Sequence, residues 1–165
     1  MERVSNMGRI TPFLWFDSQA EEAAEFYTSI FEPARIVNVA RFGDAGAGPV
    51  GSVMTVSFEL DGETFVALNG GAQGFHFNES VSFVVNCTTQ AEVDYFWGRL
   101  TEGGEEGPCG WLKDKFGLSW QIVPGRLIEL ISDPDPVRSQ NAMRAMLQMK
   151  KIDIAAIERA AAASG

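Results

Sequence analysis

The chain has 165 residues, enough for one domain or for two small modules that share a core. Hydrophobic residues make up 45% of it, as in ordinary globular proteins, and its net charge is −9. Nucleic acids and anionic membranes bind clustered Lys and Arg, so this acidic composition predicts neither as a partner.

The two cysteines indicate the compartment. Cys87 and Cys109 lie outside any CxxC or Cys/His metal pattern. No apolar run approaches the ~20 residues of a membrane span, and residues 1–9 lack the apolar segment of a secretory signal. We therefore expect a reduced, cytoplasmic protein.

The first half of the chain reads as a strand, a helix and three further strands. Ser18 and Glu21 form a predicted capping box at the start of the helix, and Pro33 ends it. Asp61-Gly62 is a strong hairpin signal between the last two strands. The predicted strands cover residues 10–16, 34–42, 51–60 and 63–69.

The second half repeats this order. An apolar strand over residues 81–87 precedes a second capping box at Thr89 and Glu92 and a helix that continues to Leu100. The stretch CGWLKDKFGLSWQIVP, residues 109–124, supplies the remaining strands. Its turn is predicted at Gly117 and its last strand ends at Pro124.

The two halves can be aligned position by position. Thr11 aligns with Ser82 at an offset of 71 residues, which also superimposes the two capping boxes. The turn glycines are only 55 residues apart, so the second copy has a shorter middle and Val66 aligns with Gln121. We expect residues 10–70 and 81–124 to form two βαβββ units in an α+β fold.

Residues 125–165 form a predicted helical extension. Asp135-Pro136 is a favourable helix start, and Asp153 is a second predicted N-cap, with Ile152 and Ile157 placed as a hydrophobic staple. The extension must cover either this chain or a neighbouring subunit. Its apolar face is expected to pack through methionines at 143, 146 and 149.

Several segments resemble one family closely. They include ITPFLWFD, EFYTSIF, FELDGETFVALNGG, FNESVSFVVNC, EVDYFWGRL and LQMKKIDIAAIERA, together with CGWLKDKFGLSWQIVP, which is the most specific. These resemble the PhnB-like group, labelled the 3-demethylubiquinone-9 3-methyltransferase family. It lies within the vicinal oxygen chelate superfamily of glyoxalases, bleomycin-resistance proteins and extradiol dioxygenases. The resemblance covers about residues 9–160.

The resemblance implies two βαβββ modules that form a cleft, and a homodimer. It also implies where metal-dependent relatives would hold a metal, namely at Thr11, Val66, Ser82 and Gln121. Val66 has no ligand atom, and neutral oxygens suit a transition metal poorly, so we expect no metal and no cofactor. The only histidine, His76, lies in the predicted linker.

The candidate site combines aromatic and polar side chains. An apolar cleft with a few polar groups is typical of small-molecule sites, although aromatic residues more often fill a core. Cys109 is the candidate reactive group, because nearby lysines lower the pKa of a thiol, although a strand residue packed as a small hydrophobe is the simpler interpretation. The predicted ligand-binding residues are Trp15, Phe65, Asn69, Cys109, Trp111, Trp120 and Gln121.

Three functions stay open at this stage. The first is a metal-free protein that binds or transforms a small organic molecule in the cleft between the modules. The second is the ubiquinone-type methyltransferase of the family label. Its expected glycine-rich turn has one candidate, residues 43–48, which we interpret as a hairpin loop. The third is a dimeric interaction module without catalysis. The sequence does not identify the ligand, and it does not show whether the protein is an enzyme.

Overall fold

The computed structural model describes residues 8–163, in two compact units that divide between Phe75 and His76. The start of the predicted 1–9 segment and the last two residues of the 125–165 extension lie outside the described residues. None of the helices in residues 8–163 combines the length and the hydropathy needed to span a membrane.

The first unit is a four-stranded sheet with one helix. It contains β1 (Phe13–Phe16), α1 (Ala20–Ile30), β2 (Ala34–Arg41), β3 (Val53–Leu60) and β4 (Glu63–Asn69). The strand order is β1-β4-β3-β2, with β1 parallel to β4 and the other neighbours antiparallel. Strand alternation buries one face of this sheet, where the Tyr27 ring of α1 stacks on that of Phe58, 6.0 Å away.

The second unit begins with a sheet of the same topology. Its strand order is β5-β8-β7-β6, again with the first and last strands parallel. The prediction of two βαβββ modules in an α+β fold is therefore confirmed. The elements are β5 (Ser82–Cys87), α2 (Gln90–Thr101), β6 (Glu105–Glu106), β7 (Trp111–Lys113) and β8 (Ser119–Pro124).

The register of the strands agrees with the sequence alignment of the halves. Phe13 lies opposite Val66 in the first sheet, and Val84 lies opposite Gln121 in the second. Phe13 and Val84 are 71 residues apart, as are Thr11 and Ser82. Each module therefore places aligned residues at the same point of its parallel strand pair.

The helices of the two modules, α1 and α2, begin differently, although both were expected to carry a capping box. At α2 the Thr89 hydroxyl accepts a hydrogen bond from the Glu92 amide at 3.2 Å, as predicted. At α1 the prediction for Ser18 was wrong, because Gln19 is the N-cap residue and no capping side chain is bonded there. Instead Asn69 Oδ1 accepts from the Ala20 amide at 2.8 Å. Asn69 of β4 thus accepts from a backbone amide at the start of α1 that the capping residue itself leaves without a side-chain acceptor.

Element boundaries differ from expectation mainly at loops. β2 ends at Arg41 rather than at residue 42, β3 begins at Val53 rather than at residue 51, and the two-residue β6 was not predicted. The expected strand placement of Cys109 was also wrong. The residue lies in a turn before β7 with φ +58°, a conformation that few residues other than glycine adopt.

The C-terminal helices pack on one another within the second unit. They are α3 (Gly125–Ile131), α4 (Pro136–Met146) and α5 (Ile154–Ala162). Asp135 and Asp153 cap α4 and α5, as predicted, through amides of Val137 at 2.9 Å and Ala156 at 3.0 Å. Their shared core contains Leu127, Leu130, Ala142, Ile152, Ile157 and Ala161, with Met146 and Met149 packed against it.

Hydrogen bonds attach this helical extension to the second sheet module. The Gln90 side chain of α2 donates to the Ile152 carbonyl at 3.0 Å and accepts from the Ile154 amide at 2.9 Å. The Cys109 amide donates to the Met149 carbonyl at 2.8 Å. The extension therefore covers its own chain, which was one of the two alternatives left by the sequence.

A buried carboxylate organises the turn between β7 and β8. Asp114 is 2% exposed, and its Oδ1 accepts from the amides of Phe116 at 2.9 Å and Leu118 at 3.1 Å. Its Oδ2 accepts from Trp120 Nε1 at 2.9 Å. Gly117 supplies the positive φ of +86° that the turn requires, as predicted.

Asp114→Asn tests the importance of this carboxylate with almost no change in shape. An amide oxygen still accepts from the turn, but the amide NH₂ then faces the Trp120 N–H, and one donor is left without an acceptor. We expect the free energy of unfolding to fall by about 2 kcal/mol in urea denaturation. Asp44→Asn, in an exposed loop, is the matched control. Equal stabilities for the two variants would contradict this role.

Candidate functional site

A cavity of about 580 Å³ opens in the second unit, beside the β6–β7 connection. Its size falls in the range of roughly 300–1,000 Å³ that is typical of small-molecule sites. It is lined by Glu79, Glu105, Glu106, Gly107, Pro108, Cys109, Trp111, Leu112, Lys113 and Ser119. All ten residues belong to the second unit.

Strand register explains how distant residues meet at this cavity. Lys113 of β7 lies opposite Ser119 of β8, and Trp111 lies opposite Gln121. Side chains two apart on a strand share a face, whereas direct neighbours point to opposite faces. Trp111, Lys113 and Ser119 therefore occupy one face of the sheet, and Trp120 occupies the other.

Close backbone packing forms one wall of the cavity. The Gly107 amide donates to the Trp111 carbonyl at 2.8 Å. A Cβ atom on Gly107 would lie 2.8 Å from that same carbonyl oxygen, which is too close for a real contact. Glycine is thus required where the segment after β6 crosses the start of β7.

The Ser119 hydroxyl is the most unusual group at the cavity. Ser119 is fully buried, and no described residue within hydrogen-bonding distance satisfies its Oγ atom. Buried polar side chains nearly always have a partner, and an unsatisfied group requires an explanation. The hydroxyl has almost no exposed surface, so the protein itself encloses it.

Lys113 and Glu79 form an ion pair at the cavity. The hydrogen bond from Lys113 lowers the pKa of the Glu79 carboxyl, and the same bond raises the pKa of Lys113. The charge of Glu105, across the β6–β7 pair from Lys113, contributes less to the raised pKa. Both side chains are well exposed, so the pair contributes little to the stability of the fold, and its main effect is on the charge at the cavity.

The two cysteines have different environments. Cys109 lines the cavity and is partly exposed, whereas Cys87 is 2% exposed. Burial raises the pKa of Cys87 to about 11, and the negative charge of Glu92 acts in the same direction. Cys87 is therefore inert at neutral pH, because the thiolate is the reactive form.

The structure brings Cys109 and Trp111 together at the cavity, whereas Trp120 and Gln121, the other predicted site residues of the second unit, are not among its lining residues. Trp120 is 3% exposed and donates to Asp114, on the opposite face of β8. Gln121 Nε2 donates to Ser82 Oγ at 2.9 Å, next to Trp111 in the register. His76 is exposed and is not among the lining residues.

The predicted residues of the first unit have structural contacts there. The Trp15 indole donates to the Gly71 carbonyl at 2.9 Å, and Phe65 is buried against Phe58. Asn69 connects β4 to α1, as described above, and also donates to the Val53 carbonyl at 3.1 Å. Their proposed role in ligand binding stays a prediction.

The residues at the superfamily's metal positions do not fit a transition metal. Val66 offers no ligand atom, and Gln121 and Ser82, which are bonded to each other, offer only neutral oxygens. Between residues 8 and 163 no group of three His, Cys, Asp or Glu side chains is placed to hold a metal ion. The expectation of a metal-free protein stays a prediction.

Sequence reasoning missed Ser119 and Glu105. Ser119 directly precedes Trp120, and strand alternation was the signal that would have placed it on the other face. Glu105 was assigned to no element, because a two-residue strand has no periodic pattern. Neither residue stands out until β6, β7 and β8 are paired.

Comparisons with known proteins identify relatives of the chain. A family model described as 3-demethylubiquinone-9 3-methyltransferase matches residues 8–123. A putative 3-demethylubiquinone-9 3-methyltransferase, a PhnB protein from Bacillus cereus, is 34% identical, with 72% of this chain and 100% of that chain covered and a TM-score of 0.64. A search among curated proteins finds no significant match.

More distant solved structures share the fold alone. A protein from Pseudomonas aeruginosa is 21% identical, with 71% of this chain and 97% of that chain covered and a TM-score of 0.59. The genomically encoded fosfomycin resistance protein FosX from Listeria monocytogenes, solved with Mn(II) and sulfate, is 16% identical. It covers 74% of this chain and 94% of its own, with a TM-score of 0.51.

Alkylation of the folded protein tests the contrast between the cysteines. With iodoacetamide at pH 8 we expect modification of Cys109 and protection of Cys87, where roughly one thiol in a thousand is ionised. Peptide mass spectrometry gives both rates. Cys109→Ser is the control, since it should abolish labelling until urea exposes Cys87. Equal labelling of both thiols in the folded protein would contradict the assignment.

Proposed function

The chain belongs to the PhnB-like 3-demethylubiquinone-9 3-methyltransferase family, within the vicinal oxygen chelate superfamily, and from that membership we propose that it binds a small organic molecule. The site is the cavity of the second module, with Trp111 as its aromatic wall and Cys109 at its edge. The α+β fold with two four-stranded sheets is the established part of this assignment.

The observation that carries the proposal is the cavity of about 580 Å³ with the Trp111 ring in its lining. The Trp111 ring would supply apolar contact area to a bound molecule, and the Glu79–Lys113 pair would supply polar groups. An aromatic wall with a few polar groups is the usual composition of a small-molecule site.

The methyltransferase alternative has no comparable support. Its only candidate glycine-rich loop, residues 43–48, connects β2 to β3, which are antiparallel neighbours. S-adenosylmethionine enzymes are expected to use a glycine-rich turn between a strand and a helix. Fosfomycin resistance is the property of a neighbour only 16% identical, so it is not transferred to this chain.

Turnover of the bound molecule would fall to Cys109. It is the only thiol at the cavity, and Cys87 is buried. A binding protein without catalysis retains the same cavity, so the proposal concerns binding first. The two free thiols fit a reducing compartment, which supports the cytoplasmic location that we propose.

We also propose a homodimer, on the basis of exposed apolar side chains. β1 is an edge strand of the first sheet, and Phe13 on it is 58% exposed. β5 is an edge strand of the second sheet, and Val84 on it is 48% exposed. Open edges with apolar side chains favour association, and a two-fold dimer is the commonest closed arrangement.

A fragment screen by ligand-observed NMR tests small-molecule binding. We expect aromatic fragments to bind wild-type protein, and Trp111→Ala to lower their affinity by about tenfold, because the aromatic wall is lost. Tyr95→Ala, which removes a 44% exposed aromatic side chain outside the cavity, is the matched control. The proposal fails if no fragment binds, or if both variants bind as wild type does.

Light scattering tests the dimer. At micromolar concentration we expect twice the mass of the 18.0 kDa chain. Phe13→Asp should give a monomer, because a charge replaces an apolar contact, whereas Val50→Asp in the 73% exposed β2–β3 loop should not. A monomeric wild-type protein would refute the assembly.

A further inference from the structure

The strand pairing beside the cavity is incomplete. Ser57 lies opposite Val66 in the first sheet. Trp111 lies opposite the aligned residue Gln121 in the second sheet, so it holds the equivalent position. In the first module the two residues before Ser57 pair with β2, whereas in the second module β6 pairs only with residues 112 and 113 of β7. Within residues 8–163, no strand therefore lies beside the two residues before Trp111 on that edge.

The C-terminal extension takes the place of this strand. The Cys109 amide donates to the Met149 carbonyl at 2.8 Å. The next amide along the chain, that of Gly110, donates to the Lys150 carbonyl at 2.8 Å. We call residues 149–154 the strap. The backbone of the cavity wall is thus bonded to the strap where β6 has already ended.

The strap also limits the conformation of this wall. Gly110 has a φ of +83°, and a Cβ atom on it would lie 3.0 Å from the Ile122 carbonyl oxygen and 3.2 Å from Ile152 Cγ1. Ile152 belongs to the strap and is fully buried. Cys109 has a φ of +58°, which a residue other than glycine keeps only where its surroundings impose it. The strap and β8 together supply those surroundings.

Two side chains of α2 anchor the strap. The Gln90 Nε2 atom donates to the Ile152 carbonyl at 3.0 Å, and Gln90 Oε1 accepts from the Ile154 amide at 2.9 Å. Asp94, one helical turn later, accepts from Gln90 Nε2 at 3.0 Å. Asp94 also forms an ion pair with Lys151 at 2.8 Å. The docking of the strap therefore depends chiefly on the carboxamide of Gln90.

We propose that the strap positions the Cys109 edge of the cavity, and that Gln90 is the positioning residue that keeps the strap docked on α2. Opening of the strap frees the wall over residues 107–111. Occupation of the cavity in turn stabilises the docked strap, because coupling between two sites is reciprocal. The strap lies outside residues 8–123, the part of the chain that the family model matches. This inference rests on the proposed binding function and adds to it an element that controls the site.

Gln90→Met tests the anchor, since it removes the polar contacts with the strap and keeps the length of the side chain. We expect iodoacetamide at pH 8 to modify Cys109 about fivefold faster than in the wild-type protein, because the wall opens more often. Hydrogen exchange of the Gly110 and Ile154 amides, measured by NMR, should accelerate as well. Continued protection of Cys87 shows that the sheet module is still folded.

Asp135→Ala is the matched control. It removes the N-cap of α4 in the same extension, so it should lower the thermal stability without releasing the strap, and Cys109 should react as in the wild-type protein. Lys151→Met is a milder variant that breaks only the exposed ion pair with Asp94, and it should raise the Cys109 rate about twofold. It decides the question if Gln90→Met unfolds the protein.

Indole, titrated by NMR, tests the connection to binding. We expect Gln90→Met to weaken indole about fivefold and Asp135→Ala to leave its affinity unchanged, because only the first variant releases the cavity wall. In the wild-type protein, saturation with indole should slow hydrogen exchange of the Ile154 amide, although that amide is bonded to Gln90 rather than to the cavity lining.

The outcomes separate this inference from the binding proposal. An unchanged Cys109 rate in both strap variants, or an equal rise in Asp135→Ala, overturns the positioning role even if indole binds. A faster Cys109 rate with an unchanged affinity for indole overturns the coupling between the strap and the site. If neither indole nor any fragment of the earlier screen binds the wild-type protein, the proposed function fails, and the Cys109 rates still decide whether the strap positions the wall.

Discussion

The second module depends on the hydrogen bonds that Asp114 accepts. Its carboxylate holds the β7–β8 turn through two backbone amides and holds the Trp120 indole through the other oxygen. Since neighbouring strand residues point to opposite faces, anchoring Trp120 on the buried side places Ser119 on the cavity side. The register that puts Lys113 opposite Ser119 follows from the same turn. One buried group thereby orders both the core and the site.

Divergence between the modules explains why the cavity belongs to the second. In the first module a two-residue turn, Asp61-Gly62, joins long strands, and Phe65 takes the place of Trp120. In the second module β7 has only three residues, and a glycine segment crosses close to its start. The shortened strand and the crossing segment bring Cys109 and Trp111 to the cavity wall. The C-terminal extension holds this region from outside, through the Met149 carbonyl that accepts from Cys109.

Much of the architecture could be predicted from local pattern. Apolar alternation, turn glycines and the Thr89 cap are signals that act over a few residues. Strand patterns and turn glycines occur in the same order in both halves, so the repeated βαβββ fold could be predicted. Cys109 and Trp111 were identified because they lie in CGWLKDKFGLSWQIVP, the most specific segment of the chain. Ser18 was misassigned as a cap, because its competitor Asn69 is 49 residues from Ala20 along the chain.

The sequence by itself determined the fold class, the repeat, the acidic charge and the absence of ligand atoms at Val66. The tertiary structure alone decided which residues share a cavity, since that depends on strand pairing between segments without mutual sequence signals. It showed that Lys113 is paired with Glu79 and that the Ser119 hydroxyl is buried without a partner. Composition reports how many polar groups exist, whereas only three-dimensional packing decides which of them find partners.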